Sequence, residues 1–344
     1  MDGRIQRRPI AASLLLFLTL PALAAGPGLT SDQQIVAGRI SAASLRGNLS
    51  FIASDSLEGR ATPSRGLDLA AEYIAAQFRR AGLEPVGGDD YFQTATLKTG
   101  TAKNVVGLLR GSDPELKNTY VILSAHYDHL GMKPNGEDRI YNGANDDGSG
   151  TVSVMEIASA LAALPVHPKR SILFVAFYGE ERGLLGSRYY ASHPLFPLDR
   201  TIADVNLEQV GRTDATNGPQ AGRGYLTGYD YSDLGPILSR EAKFSGFQIS
   251  DDASTKEDYF VRSDNLPLSQ AGVPSTTVYV AADFPDYHRV GDEWQKIDYD
   301  NMASVDRAVA LGLLRLASEA PPPQWNIANP RARRYAEAVR PPKQ

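Results

Sequence analysis

The stretch NTYVILSAHYDHLG, residues 118–131, sets the terms for the whole chain. From Tyr120 to Ala125 it is a nearly unbroken apolar run of strand length. A half-exposed strand would alternate polar and apolar residues, so this run predicts a strand covered on both faces, as in a largely parallel sheet. It ends abruptly in polar residues, beginning with His126 and Asp128. In open α/β sheets ligands collect beyond the carboxyl ends of the strands. Two residues apart on extended chain, His126 and Asp128 face the same way. His126 could bind a metal ion, with Asp128 accepting the proton of its other ring nitrogen and fixing the tautomer. A histidine that merely lies on the surface near a strand end is an equal alternative for this pair alone.

The surrounding chain repeats the pattern. Val105–Leu109, Ser171–Phe177, Ala203–Leu207 and Ser275–Val280 read as further strands. Helical periodicity or composition marks Ser31–Leu45, Leu67–Ala81 (stopped by Gly82), Thr151–Leu164 (stopped by Pro165), Gly183–Ser192, Leu234–Phe244 and Asp300–Ala317. Alternating strands and helices imply an α/β three-layer sandwich, a central mostly parallel mixed sheet with helices on both faces. Residues 212–230, rich in Gly, Thr and Asp, read as loop or edge strand. No composition break divides residues 25–320, which read as one domain. The segment 321–344, with Pro-Pro-Pro at its start, basic and polar residues, and Pro-Pro near its end, reads as a flexible tail.

Composition narrows the function. The chain has 344 residues, 42% hydrophobic and 22% charged, as an ordinary globular protein does. A net charge of −5 and the lack of any long Lys/Arg run argue against nucleic acid as a partner. Residues 1–24 have the form of an export signal: Arg4, Arg7 and Arg8, an apolar run from Ile10 to Leu20, then Ala22-Leu23-Ala24. A periplasmic or secreted protein is expected, with no stable membrane span once the signal is cleaved. With no Cys, it cannot rely on disulfides.

Four more segments place metal-type ligands at or soon after strand ends. In GANDDGSG (143–150) Asp146 sits on a Gly-rich turn and could bridge two cations. An ordinary turn and a calcium loop compete with that reading. Asn145, Asp147, Ser149, Gly150 and Glu156 fall at EF-hand positions 1, 3, 5, 6 and 12, although Asn holds position 1 and no amphipathic helix precedes. Glu180 and Glu181 follow the strand ending at Phe177. Two adjacent carboxylates there are costly to bury unpaired. A cation would neutralise one and leave the other as a general base. Glu208 and His288 add one ligand each. Two imidazoles and three carboxylates without thiolate suit zinc, with cobalt or manganese as substitutes. A shared carboxylate with two more ligands per ion makes a co-catalytic pair.

The motifs SAHYDHLG (124–131), NGANDDGSGT (142–151), FYGEERGLLGS (177–187), NLEQVGR (206–212) and DYHRVGDEWQKID (286–298) resemble the bacterial leucyl aminopeptidase and aminopeptidase Y family. Its superfamily includes glutamate carboxypeptidases and glutaminyl cyclases. The resemblance runs from about residue 45 to 317 and leaves no room for a protease-associated insert. It implies two zinc ions per chain, and peptides with a free N-terminus as substrates. His126 and Glu208 resemble ligands of the first zinc, Asp146 the bridging carboxylate, and Glu181 and His288 ligands of the second. Glu180 resembles the general base, and Tyr287 a residue that stabilises the oxyanion. Glu208 stands where many members carry Asp. Arg262, Asp264 and Asn265 lie in a segment resembling a substrate-side motif, which often ends in His rather than Asn265. A glutaminyl cyclase-like acyltransferase, a carboxypeptidase for acidic residues and a non-catalytic binding protein are the competing readings.

Overall fold

Eight strands form the main sheet of the computed structural model, which describes residues 28–251, 259–319 and 321–338. They are β1 (Phe92–Leu97), β2 (Gly100–Leu109), β3 (Tyr120–His126), β4 (Ser171–Phe177), β5 (Thr201–Leu207), β6 (Arg223–Leu226), β7 (Gln248–Asp251) and β8 (Ser275–Tyr279). The spatial order is β1-β2-β4-β3-β5-β8-β6-β7. The inner four, β4-β3-β5-β8, are mutually parallel. β2 on one side and β6 on the other pair antiparallel to them, so the sheet is mixed. The expected leader, residues 1–24, lies outside the described residues. Among the described residues no helix is long and apolar enough to cross a membrane.

Nine α-helices accompany the sheet among the described residues: α1 (Ser31–Arg39), α2 (Ala42–Ile52), α3 (Arg65–Ala81), α4 (Gly150–Ala162), α5 (Leu185–Ser192), α6 (Leu234–Ala242), α7 (Asn265–Gln270), α8 (Tyr299–Ser318) and α9 (Pro330–Ala338). Val121, Leu123 and Ala125 of β3 pack into one apolar cluster with Phe78 of α3, Ile157 of α4 and Val309 of α8. Ile122, one residue out of phase, joins a second cluster with Tyr190 of α5 and Leu268 of α7. Burial on both faces is why β3 and β4 lack polar alternation.

Local chemistry sets the helix ends. Ser64 caps α3 by accepting from the Leu67 N–H at 3.1 Å, and Gly82 ends the helix in the left-handed region at φ 82°. The single helix expected over 31–45 is divided. Ile40 is extended, and Ser41 opens α2 by accepting from Ser44. β1, β7 and α7 were not expected. β1 and β7 are short edge strands with exposed faces, and α7 is a six-residue helix containing Pro267 in its first turn, where a missing N–H is tolerated. Within 212–230, β6 enters the main sheet, and Asp214–Ala215 pairs with Gly218–Pro219 in a small hairpin.

The flexible-tail expectation for 321–344 is corrected over residues 321–338, which pack onto the body. Trp325 is buried and donates its indole N–H to the Gly272 carbonyl at 2.9 Å. It stacks on Tyr335, with ring centroids 5.3 Å apart, and Tyr335 meets Phe260 at 5.4 Å. Ala332 and Tyr335 form the buried side of α9. A few apolar residues among Pro and Arg supply the contact area, and average composition conceals them. Trp325→Ala should therefore lower the free energy of unfolding by about 3–5 kcal/mol, measured by urea denaturation. A change under about 1 kcal/mol would mean that this segment is not packed in solution.

Candidate metal centre

Parallel pairing carries the ligand-bearing residues to one edge. His126 ends β3 opposite Phe177 at the end of β4, and Leu207 at the end of β5 pairs with Val278 in β8. Glu180–Glu181, Glu208 and Tyr287–His288 therefore emerge on the same side as His126.

Asp146 lies at the middle of the cluster. Its Oδ1 is 3.4 Å from His126 Nε2, and its Oδ2 is 3.1 Å from His288 Nε2. His288 Nε2 also lies 3.4 Å from Glu181 Oε2. Ligand atoms of His126, Asp146 and Glu208 fall within 4.8 Å of one another, and so do those of His129, Asp146 and Glu181. Asp146 thus belongs to two groups of potential ligands. On the far side of the His126 ring, Nδ1 faces Asp128, 3.4 Å from its carboxylate and 3.2 Å from its carbonyl. Asp128 also accepts from the Glu180 N–H at 3.0 Å. One carboxylate therefore orients an imidazole and fixes the backbone of the adjacent acid.

These side chains fit cations. His126 Nε2, Asp146 Oδ2 and Glu181 Oε1 are buried without a hydrogen-bond partner. Unpaired buried polar atoms of this kind are rare and costly, and a cation would satisfy all three. Burial pushes Asp146 upward, but the imidazoles of His126 and His288 outweigh it and hold the carboxyl well below the usual range. Burial and Asp146 likewise push Glu181 up, and His129 and His288 bring it down to about 2. Burial raises Glu180 well above an ordinary carboxylate; His126 opposes this, and Glu208, Asp264 and Glu181 add to it. His288 rises to about 10, because Asp146 and Glu181 outweigh the effect of its burial.

The calcium-loop alternative is set aside by how its residues are used. Asn145 Oδ1 accepts from the N–H groups of Gly211 and Arg212, and Asp147 from those of Gln209 and Gly150. Glu156 accepts from Ser41 and Ser44 on the far side of α4. Their oxygens do not converge.

Several supporting residues carried no signal in the sequence. Arg60 is fully buried, and its guanidinium donates to the carbonyls of Ile52, Tyr127, Asn142 and Gly143. It ties the loop after β3 to the loop carrying Asp146. Burial lowers it to about 10, with Asp128, Asp292, Asp147 and Asp146 opposing. Neighbouring Gly59 has φ 68°, and a Cβ there would meet the Gly131 carbonyl oxygen at 2.3 Å. The Asp292 carboxylate accepts from the N–H groups of Asn145 and Asp146 at 3.0 and 3.1 Å. His129 was visible inside HYDH, but nothing in the spacing distinguished it from a surface residue.

Beside the cluster opens a cavity of about 200 Å³. Glu180, Glu181 and Glu208 line one side, and Thr227, Tyr259, Arg262, Tyr279 and Tyr287 the other. Arg262 lies over the Tyr259 ring and donates to the Tyr287 hydroxyl at 3.3 Å. Asp264 and Asn265, expected to touch substrate, do not line this cavity. Both are fully buried, Asp264 accepting from Ser187, and Asn265 donating to the Phe260 carbonyl and accepting from Thr277. They hold the walls because their segment turns inward as α7 begins.

The sequence profile of Peptidase family M28 matches residues 104–312, and the chain belongs to that family. Leupeptin-inactivating enzyme 1 of Streptomyces exfoliatus is 25% identical over 72% of this chain and 50% of its own length. Aminopeptidase YwaD of Bacillus subtilis (strain 168) is 29% identical over 51% of this chain and 35% of its own. The chain thus spans half or less of the length of these curated relatives. The LapA aminopeptidase structure from Legionella pneumophila superposes with a TM-score of 0.67 at 22% identity, covering 84% of this chain and 75% of that one. Porphyromonas gingivalis glutaminyl cyclase gives 0.64 at 21% identity, covering 80% and 98%. These likenesses establish the shared α/β fold.

Two predictions test the centre. Arg60→Met would strip four buried carbonyls of their donor and should cost at least about 3 kcal/mol of stability, read by chemical denaturation; Arg60→Lys, which keeps the charge without the fork, should fall between. In the metal-free protein His288 is protonated at neutral pH, since its pKa lies near 10. Ligation needs the neutral ring, so zinc uptake should release protons, and its apparent affinity should fall as pH falls. Titration calorimetry in buffers of different ionisation enthalpy measures this, and heats independent of buffer would contradict it.

Proposed function

We propose that the protein is an exported, metal-dependent exopeptidase that removes the N-terminal residue of peptides using two zinc ions. The observation that carries the proposal is the Asp146 carboxylate, with imidazoles on both of its oxygens and further carboxylates beside each. His126, Asp146 and Glu208 would hold one ion, and Asp146, Glu181 and His288 the other. When bound, such a pair supplies an acidified water and a Lewis acid for the scissile carbonyl.

The remaining work falls to side chains of the chain itself. Glu180 lines the cavity next to the ligands and accepts the proton of the attacking water. Its raised pKa favours keeping that proton until it passes to the leaving amine. Asp128 positions Glu180 through its backbone N–H and orients His126 through Nδ1. Arg262 donates to the Tyr287 oxygen, which leaves the phenolic proton free to point at the developing oxyanion. Glu180, Glu181 and Glu208 bring carboxylate oxygens to the near wall, and those not taken up by the ions would accept hydrogen bonds from a substrate's N-terminal amine, which an internal peptide segment lacks.

A cyclase of the same fold would consume N-terminal glutamine without releasing an amino acid. The second ligand group around Asp146 favours the paired-ion hydrolase over it. A carboxypeptidase for acidic residues would need clustered cations, and Arg262 is the one Arg or Lys lining the cavity among the described residues.

Aminoacyl chromogenic substrates should be cleaved, N-acetylated ones spared, and chelation should abolish turnover until zinc is restored. A glutaminyl peptide should lose its first residue; formation of pyroglutamate would support the cyclase instead. Glu180→Gln should retain zinc and structure and lose about 10²–10⁴-fold in kcat. Near-normal turnover would remove Glu180 from the role of base. Residues 1–24 should be absent from the mature protein, as N-terminal sequencing of exported material would reveal.

A further inference from the structure

His129 has no role in the mechanism above, yet it is enclosed in the metal centre. Its side chain is fully buried, and Nε2 has no hydrogen-bond partner. Nδ1 stands 2.7 Å from Glu181 Oε1, while His288 approaches the other oxygen of the same carboxylate. The two imidazoles meet edge to face, with centroids 5.7 Å apart. The His129 ring cannot swing away. Gly143 is packed so close that a Cβ on it would lie 2.5 Å from the ring, and the His129 N–H is bound to the Arg60 carbonyl at 3.2 Å.

A contact between Nδ1 and Glu181 Oε1 accounts for one ring nitrogen and leaves Nε2 buried with no partner. A cation held by the ring together with Asp146 and Glu181 would also take up the unpaired oxygens of both acids, which a hydrogen bond to Glu181 alone does not. Ligand atoms of His129, Asp146 and Glu181 already lie within 4.8 Å of one another, as ligands of one ion do.

We propose that His129 is a direct ligand of the second ion, which is then enclosed by His129, Asp146, Glu181 and His288. The inference rests on the paired-ion reading above and makes the two sites unequal. Four protein ligands close a site in the manner of structural zinc, whereas the His126–Asp146–Glu208 site has three and keeps an open position for water and substrate. The second ion is accordingly the tightly held one, and the first the exchangeable one.

The test is a metal-binding measurement on the whole protein. Chelator dialysis of the two-zinc protein, followed by elemental analysis, should pass through a plateau near one zinc per chain. His129→Ala should abolish the plateau, with the tight dissociation constant rising at least about 100-fold, beyond what loss of an outer contact produces. The protein loaded with one equivalent of Co²⁺ should show the intense visible bands of a four-coordinate ion, and His129→Ala should weaken them. Circular dichroism and melting of the metal-free forms check folding. Should the alanine variant not fold, X-ray absorption of the one-zinc wild type counts imidazoles directly: two support the assignment and one overturns it. A wild type that holds two ions, with a tight constant changed less than about 100-fold by His129→Ala, as loss of an outer contact would give, overturns the role of His129 alone. A wild type that never binds more than one ion overturns the paired-ion reading beneath it.

Discussion

Carboxylates gathered in a buried space repel one another, and the ligand end of this sheet is organised around that constraint. Asp146, Glu180, Glu181 and Glu208 line one cavity, with Asp128, Asp147 and Asp292 buried close behind. The acids find relief in several ways. Asp147 and Asp292 accept backbone N–H groups, and Asp128 takes an N–H and a hydroxyl while facing an imidazole. Asp146 and Glu181 are left facing imidazoles that hold them ionised, and Glu180 is pushed toward its neutral form. Cations at the centre would resolve what remains.

Such a cluster needs loops that cannot relax apart. Arg60 supplies much of this rigidity by donating to four carbonyls from three segments, and its charge lies near Asp128 and Asp146. Asp292, four residues beyond His288, accepts from the backbone of Asn145 and Asp146. The chain thus ties the loop of one ligand to the loop of another through a third residue that would bind no metal. His288 adopts φ 55°, a conformation sustained only where the surroundings hold it.

The far wall of the cavity depends on more distant structure. Tyr259 and Arg262 flank Phe260, which packs on Tyr231 and on Tyr335 of α9. The C-terminal segment therefore supports the far wall of the cavity. Asp264 and Asn265 contribute from inside, Asn265 through Thr277, a wall residue on β8.

Local patterns made much of the architecture legible. Strands buried on both faces have continuous apolar runs, so β3, β4, β5 and β8 and the long helices α3, α4 and α8 could be placed from residue order. Edge strands β1 and β7 and the short α7 bury too little to impose a pattern. His126, Asp146, Glu181, Glu208 and His288 stood out because polar residues at strand ends are conspicuous against apolar runs. The pairing of atoms was not legible. That His126 and His288 reach opposite oxygens of Asp146, that His129 faces inward, and that Asp264 and Asn265 turn into the core all depend on strand register and loop course. The same holds for Arg60 and for Trp325 with Tyr335, whose partners are remote in the chain. Residue order carries short-range periodicity and thereby specified the elements and the chemistry available. Convergence of side chains from residue 126 to residue 288 is a long-range property, and it arose only when parallel strands aligned their carboxyl ends.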